Sequence, residues 1–240
     1  KTLIWADEFN TDGAPNPAVW GYDLGSNNGW GNNEVQNYTN RADNAVVQGG
    51  VLKITAKKES YQGSNYTSAR LLSLNKYSFT YGRVDIRAKL PAGGGTWPAL
   101  WMLGSNIQTV GWPACGEIDI MELIGGNADG RDNTIHGTVH WDNNGNYAQF
   151  GGSKKKNSGI FNGEFHVFSI IWDKNKIVWL LDNVQYHEID ITPAALDEFR
   201  KPFFLLLNVA VGGNWPGNPN GTTAFPQQMV VDYVRVFQEN

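Results

Sequence analysis

The sequence predicts an all-β protein, a curved sandwich of two antiparallel sheets of the jelly-roll kind with a concave cleft and at most one short helix. Three observations carry that expectation. The chain has 240 residues, a common length for one β-sandwich. Strict apolar/polar alternation recurs along it, and more than ten short runs rich in β-branched and aromatic residues are bounded by Gly, Asn, Asp or Pro. No repeat of fixed period and no Pro- or Ser-rich linker divides the chain, so residues 1–240 read as a single domain.

The elements follow in order. "VLKITAKK" alternates Leu52, Ile54 and Ala56 with Lys53, Thr55 and Lys57. "GRVDIRAKL" alternates Val84, Ile86, Ala88 and Leu90 with Arg83, Asp85, Arg87 and Lys89. Each has one face for a core and one for water. The later runs "FHVFSIIW", "KIVWLLDNVQYHEI", "KPFFLLLNVAVGG" and "QMVVDYVRVFQ" continue the strand signal, with Asp182 and Asn183 as a hairpin turn. Only "TPAALDEFR", from Thr192, offers an N-cap, a Pro at the first helical position and helical spacing of apolar residues, and it is the one helix expected. Packing two such sheets buries one face of each, and where they curve the concave face forms a groove.

Composition narrows the function. Hydrophobic residues make up 41% and charged residues 18%, enough apolar surface for a sizeable core. The formal net charge is -4 and the only basic cluster is Lys154 to Lys156, which reads as a solvated loop, so nucleic acid is not an expected partner. The lone Cys115 allows no intrachain disulfide and no multi-cysteine zinc site. No apolar stretch approaches the ~20 residues that span a bilayer, so no membrane partner is expected. The start "KTLIWADEFN" lacks signal-peptide regions, which leaves an intracellular protein or the mature form of a secreted one.

The stretch "GEIDIMELIG", Gly116 to Gly125, places three acids in an apolar strand with inconsistent parity. With Ile118 and Ile120 in the core, Glu117 and Asp119 point to the other face, and regular continuation would bury Glu122. A β-bulge at Met121 shifts the parity and returns Glu122 to the face of Glu117 and Asp119. Glu117 and Glu122 then stand four ladder steps apart, roughly 13 Å between Cα atoms at ~3.3 Å per residue. Two Glu side chains leaning together could approach the carboxyl separation of retaining glycosidases. A solvated acidic patch or a calcium site is the other reading of such a triplet.

These residues resemble the active-site signature of glycoside hydrolase family 16, in the bulged form of its laminarinase-like members. The similarity runs through "DEFN" at Asp7, "WGNNEVQNYT" at Trp30, "TSARL" at Thr67, "YGRVDIRAKLP" at Tyr81, "TWPALWML" at Thr96, "HGTVHW" at His136, "VGGNWPG" at Val211 and "VDYVRVF" at Val231. The resemblance implies a retaining endo-glucanase cutting β-1,3-glucan, with Glu117 as nucleophile, Glu122 as general acid/base and Asp119 assisting the nucleophile. It implies no catalytic cofactor, and a structural calcium at Glu8, the Gly50 carbonyl and Asp232. A secreted monomer acting on a β-glucan polysaccharide is the corresponding expectation. Mixed-linkage glucan, agar and carrageenan are alternative substrates, and a glycan-binding lectin without turnover is the alternative of another class.

A glycan groove needs aromatic platforms and hydrogen-bonding side chains. Trp5, Trp20, Trp172 and Trp179 read as core. Trp97 and Trp101 share strand parity just before the acid strand, and by the resemblance they face the cleft on the non-reducing side of the scissile bond. Trp112 and Trp215, in Gly/Pro-rich loops, are further candidates, and the resemblance adds Asn33 and Arg70 as ligands of sugar hydroxyls. Glu34 is equally readable as a structural partner of its loop and stays outside the expected site. His136 and His140 sit four apart with "GTV" between them, which favours a strand and separates them too far for one metal ion. His136 is expected to hydrogen-bond near the acids, with His140 secondary, and Cys115 to be a small filler.

Overall fold

The computed structural model describes residues 1–239, and they form two packed β-sheets. Seven strands make the cleft sheet, in the spatial order Asn146–Lys155, Thr134–Asn143, Glu117–Glu122, Thr96–Gly104, Phe203–Val211, Arg70–Leu72 and Gly21–Asp23, with every neighbouring pair antiparallel. The outer sheet has ten strands and is centred on Gly82–Lys89, Gln227–Gln238 and Val51–Tyr61. One of its pairings, Gln36–Tyr38 with Ser64–Ser68, is parallel.

The alternating runs behave as their sequences require. Leu52, Ile54 and Ala56 are fully buried between half-exposed Lys53 and Thr55, and Val84, Ile86 and Ala88 alternate likewise with Arg83, Asp85 and Arg87. Their apolar faces meet Leu100, Met102, Ile118, Ile120, Met121, Leu205, Leu207 and Val209 of the cleft sheet in one continuous core. Trp20, Trp172 and Trp179 are buried there, and Trp5 packs on its edge, stacked 4.4 Å from Tyr77. Cys115 is buried in a smaller cluster with Leu72, Leu103, Phe204 and Leu206 and does not itself line the cleft.

Asp182 and Asn183 join Leu181 to Val184 with φ of 49° and 66°, the doubly left-handed turn that matches strand twist. The expected helix after Thr192 forms differently. Ala194–Arg200 is 3-10 with a break at Leu196, because Leu196 and Phe199 both turn into the core and hold the segment to the sheet, not to helical period. Among the described residues the one α-helical turn is Ile107–Val110, in "SNIQTVG", ending at Gly111 with φ 73°.

Candidate active site

The acid strand carries the bulge. Against the following strand Asp119 pairs with Thr138 and Glu122 with His136, three steps on one chain and two on the other. Against the preceding strand Asp119, Met121 and Glu122 face Trp101, Leu100 and Ala99, so the extra residue lies at Ile120 and Met121. Both of these side chains are buried in the core. Glu117, Asp119 and Glu122 therefore all face the cleft.

The break in the ladder leaves the Asp119 carbonyl to a partner from the other sheet: Trp179 Nε1 donates to it at 2.8 Å. The indole reaches it over Gly137, where a Cβ would stand 2.4 Å from the ring. That is why "HGTVH" carries a glycine between its polar positions.

The cleft has a volume of about 990 Å³. Its floor crosses the strands from Arg70 and Asn208, past Trp97, Trp101 and the acids, to His136, His140 and the hairpin strand bearing Tyr147 and Gln149. Trp97 Nε1 donates to Glu122 Oε1 at 3.0 Å, and Trp112 Nε1 donates to Glu117 Oε2 at 2.7 Å. Trp101 Nε1 donates to Asn208 Oδ1 at 2.6 Å, which fixes its ring as a wall. Trp215 stands edge-on to Trp97 at 5.9 Å and to His136 at 4.9 Å. Arg70 pairs with Asp23 at 2.9 Å and lies over Trp101 at 4.7 Å and Trp30 at 5.1 Å, so it is both an ion-pair member and a cleft residue.

Burial and the Glu117 charge push Glu122 up to about 8. Burial, then the charges of Glu117 and Glu122, hold Asp119 far above the usual carboxylate range. Glu122 therefore keeps its proton at neutral pH, and Asp119 is displaced in the same direction.

Three expectations change. His140, not His136, is the histidine on the acids: its Nε2 lies 2.9 Å from Asp119 Oδ2 and 3.8 Å from Glu117 Oε1. His136 lines the cleft beside Trp215, and its buried Nε2 has no hydrogen-bond partner among the described residues. Asn33 sits on the rim and donates to Asn214 at 2.7 Å, since its left-handed backbone turns it out of the cleft and leaves Asn32 to line it. Glu34, kept outside the expected site, lines the cleft, nearly buried, accepting from Asn32 and Gln36 at 2.9 Å each.

Tyr147 and Asn208 were also missed. The signal for Asn208 was a lone amide in "LLLNVAV", and for Tyr147 its shared parity with Gln149 beside the acid-facing strand.

The expected calcium ligands lie in the outer sheet. Asp7 pairs with Val234 and Leu52 with Val231, so Glu8 and Gly50, each just outside a strand end, flank the strand that carries Asp232. Both carboxylates carry a guanidinium: Arg235 binds Glu8 at 2.8 and 3.0 Å, and Arg87 binds Asp232 at 2.5 Å. Two partly exposed carboxylates and a carbonyl are oxygen donors of the type a hard cation takes, and such an ion would have to displace both arginines.

Residues 32–235 match the model of the glycosyl hydrolases family 16. The chain is 47% identical to a "Beta-glucanase" of Rhodothermus marinus over 98% of its own length and 85% of that protein's. It is 38% identical to "Glucan endo-1,3-beta-glucosidase A1" of Niallia circulans, of which it spans 38%. Among solved structures, the laminarinase catalytic domain from Thermotoga maritima MSB8 superposes with a TM-score of 0.88 at 43% identity, covering 100% of this chain and 98% of that one.

Proposed function

The chain belongs to glycosyl hydrolase family 16, and on that premise we propose that it is an endo-acting β-1,3-glucanase that hydrolyses laminarin-type β-glucan with retention of anomeric configuration. The observation that carries the mechanism is the bulge at Ile120 and Met121, which puts the half-buried Glu122, its carboxyl pushed up to about 8, on the same face as Glu117. Glu122 gives its proton to the glycosidic oxygen as the bond to the anomeric carbon breaks. Glu117, supported by Trp112 and Asp119, attacks that carbon from the opposite face and forms a glycosyl ester. Water then enters on the leaving-group side, Glu122 takes its proton, and the ester is displaced. Trp97 and Trp101 offer flat walls to glucosyl units on the glycone side, while Arg70 and Asn208 offer hydrogen bonds to their hydroxyls.

The test is direct. Glu117→Gln and Glu122→Gln each reduce release of reducing sugar from laminarin by at least ~10³-fold while the circular dichroism stays native, and the wild-type product is born as the β-anomer. Full activity in either variant, or an α-anomeric first product, refutes the assignment. Initial rates on laminarin, barley glucan, agarose and carrageenan rank the linkages, with laminarin expected first.

The proposal includes a secreted enzyme and a structural calcium at Glu8, Gly50 and Asp232. Chelation then lowers the melting temperature without changing the order of substrates, and elemental analysis finds the metal. A chain that binds no calcium and melts identically in chelator removes the ion from the proposal.

A further inference from the structure

We propose that Arg131 is a positioning residue that holds Trp215 in place at the Glu122 end of the cleft, and that it acts on the substrate only through that ring. This role rests on the reading of the cleft as a β-glucan site and identifies what holds one of its walls.

Of the tryptophans that line the cleft, Trp30, Trp97, Trp101 and Trp112 are each fixed by an indole hydrogen bond, to the Gly25 carbonyl, Glu122, Asn208 and Glu117. Trp215 makes no such bond among the described residues, and it is 40% exposed. Its ring meets only the edges of Trp97 and His136, the first bonded to Glu122 and the second opposite Glu122 in register. Without an indole bond, the place of the ring is set by the backbone that carries it.

That backbone is strung between two loops. Before Trp215, the Asn214 N–H donates to the Asn32 carbonyl at 2.7 Å, and the Asn214 side-chain oxygen accepts from Asn33 at 2.7 Å. After Trp215, the buried Pro216 offers its carbonyl, and Arg131 Nη1 donates to it at 2.9 Å. The same nitrogen donates to the Gly125 carbonyl, also at 2.9 Å, just past the end of the acid strand. One cationic donor therefore joins the acid strand to the segment that carries Trp215, and charge-assisted bonds of this kind are stronger than neutral ones.

Arg131 is itself held firmly. The Thr134 N–H donates to its carbonyl at 2.9 Å, the Asp132 N–H to Gly126 at 3.2 Å and the Phe161 N–H to Asp132 at 3.0 Å. The Asp132 carboxylate accepts from the Gly93 N–H at 3.2 Å. The Arg131 stem lies over Gly126, where a Cβ would stand 2.9 Å from its Cδ. A guanidinium presented in this way loses little freedom when it binds the two carbonyls. Arg131 does not line the cleft, so it has no direct hold on a sugar.

The experiment is a double-mutant cycle of Arg131→Met and Trp215→Ala, with Arg131→Lys as the conservative variant. Met keeps a stem over Gly126 and removes both hydrogen bonds. Arg131→Met is expected to lower kcat/KM by about five- to tenfold through a raised KM, the size of one lost hydrogen bond from a charged donor. Arg131→Lys keeps a cationic donor and is expected to recover most of that loss. In the Trp215→Ala background, Arg131→Met is expected to change kcat/KM by less than about twofold, because the ring it positions is already gone. A purely structural Arg131 lowers the melting temperature in both backgrounds and leaves KM alone. An unchanged KM in Arg131→Met, or the same fold loss with and without Trp215, overturns the inference. If Arg131→Met does not fold, Arg131→Gln against Arg131→Lys in the same two backgrounds gives the same reading. Rates are taken on whichever of laminarin, barley glucan, agarose and carrageenan the wild type cleaves fastest. A wild type that does not cleave laminarin refutes the β-1,3-glucan reading, while the cycle still decides the role of Arg131.

Discussion

At the level of single residues, Glu122 as the proposed general acid has to hold a proton that a carboxyl in water would lose. Burial and the neighbouring Glu117 charge supply that, and the Trp97 N–H opposes it, because a donor favours the ionised form. Trp97→Phe keeps an aromatic wall and removes only the donor. Glu122 then rises further, so the basic limb of kcat/KM, above which the acid has lost its proton, moves to higher pH. A limb that stays or falls refutes the role of that hydrogen bond. The same residues show what a sequence exposes. The three acids and the two Trp of "TWPALWML" are legible because parity alone places them. His140 and His136 share parity, so the choice between them depends on the register that sets His140 opposite Glu117 and His136 opposite Glu122. Asn33 and Glu34 lie in a loop with left-handed turns at Trp30 and Asn33, where no period says which side chain faces inward.

At the level of elements, the bulge is a one-residue insertion whose side chain has been absorbed by the core: Met121 is fully buried, and two residues face Leu100 where one would fit. Deleting Met121 leaves "GEIDIELIG", which alternates without interruption and keeps all three acids on the cleft face. The deletion variant is expected to fold with about 2–5 kcal/mol less stability, the cost of an emptied Met site, and to retain measurable hydrolysis. Melting curves and laminarin rates check both parts. A folded variant with no activity at all means that the bulge sets the spacing of the acids as well as their face. The strands were readable because each alternates against a single core. The 3-10 segment Ala194–Arg200 was not, since an N-cap, a Pro and an apolar spacing of three or four are common to both helix types and tertiary burial of Leu196 and Phe199 decides between them. The tie from Trp179 to Asp119 was equally hidden, because it joins residues 60 positions apart on different sheets.

Across the whole molecule, the acid proposed to serve the chemistry weakens the fold. Glu122 titrates near 4.5 in an unfolded chain and is pushed up to about 8 when folded. Below the unfolded value both states hold the proton and Glu122 contributes no pH dependence. Between the two values the folded state keeps a proton that the unfolded state releases, so stability declines as pH rises through that window and levels off above it. The slope is at most about 1.4 kcal/mol per pH unit, and less in practice because the side chain is partly open to the cleft. Glu122→Gln fills the same space with a group that cannot ionise. The variant is therefore expected to melt at the same temperature as the wild type near pH 4 and at a higher temperature near pH 8, while its hydrolysis is lost. Paired thermal scans across that range test the idea. Equal melting temperatures at pH 8 mean that Glu122 ionises without cost and that its burial does not supply the acid. A stabilised, inactive variant locates the cost of catalysis in the carboxyl that the bulge turned towards the cleft.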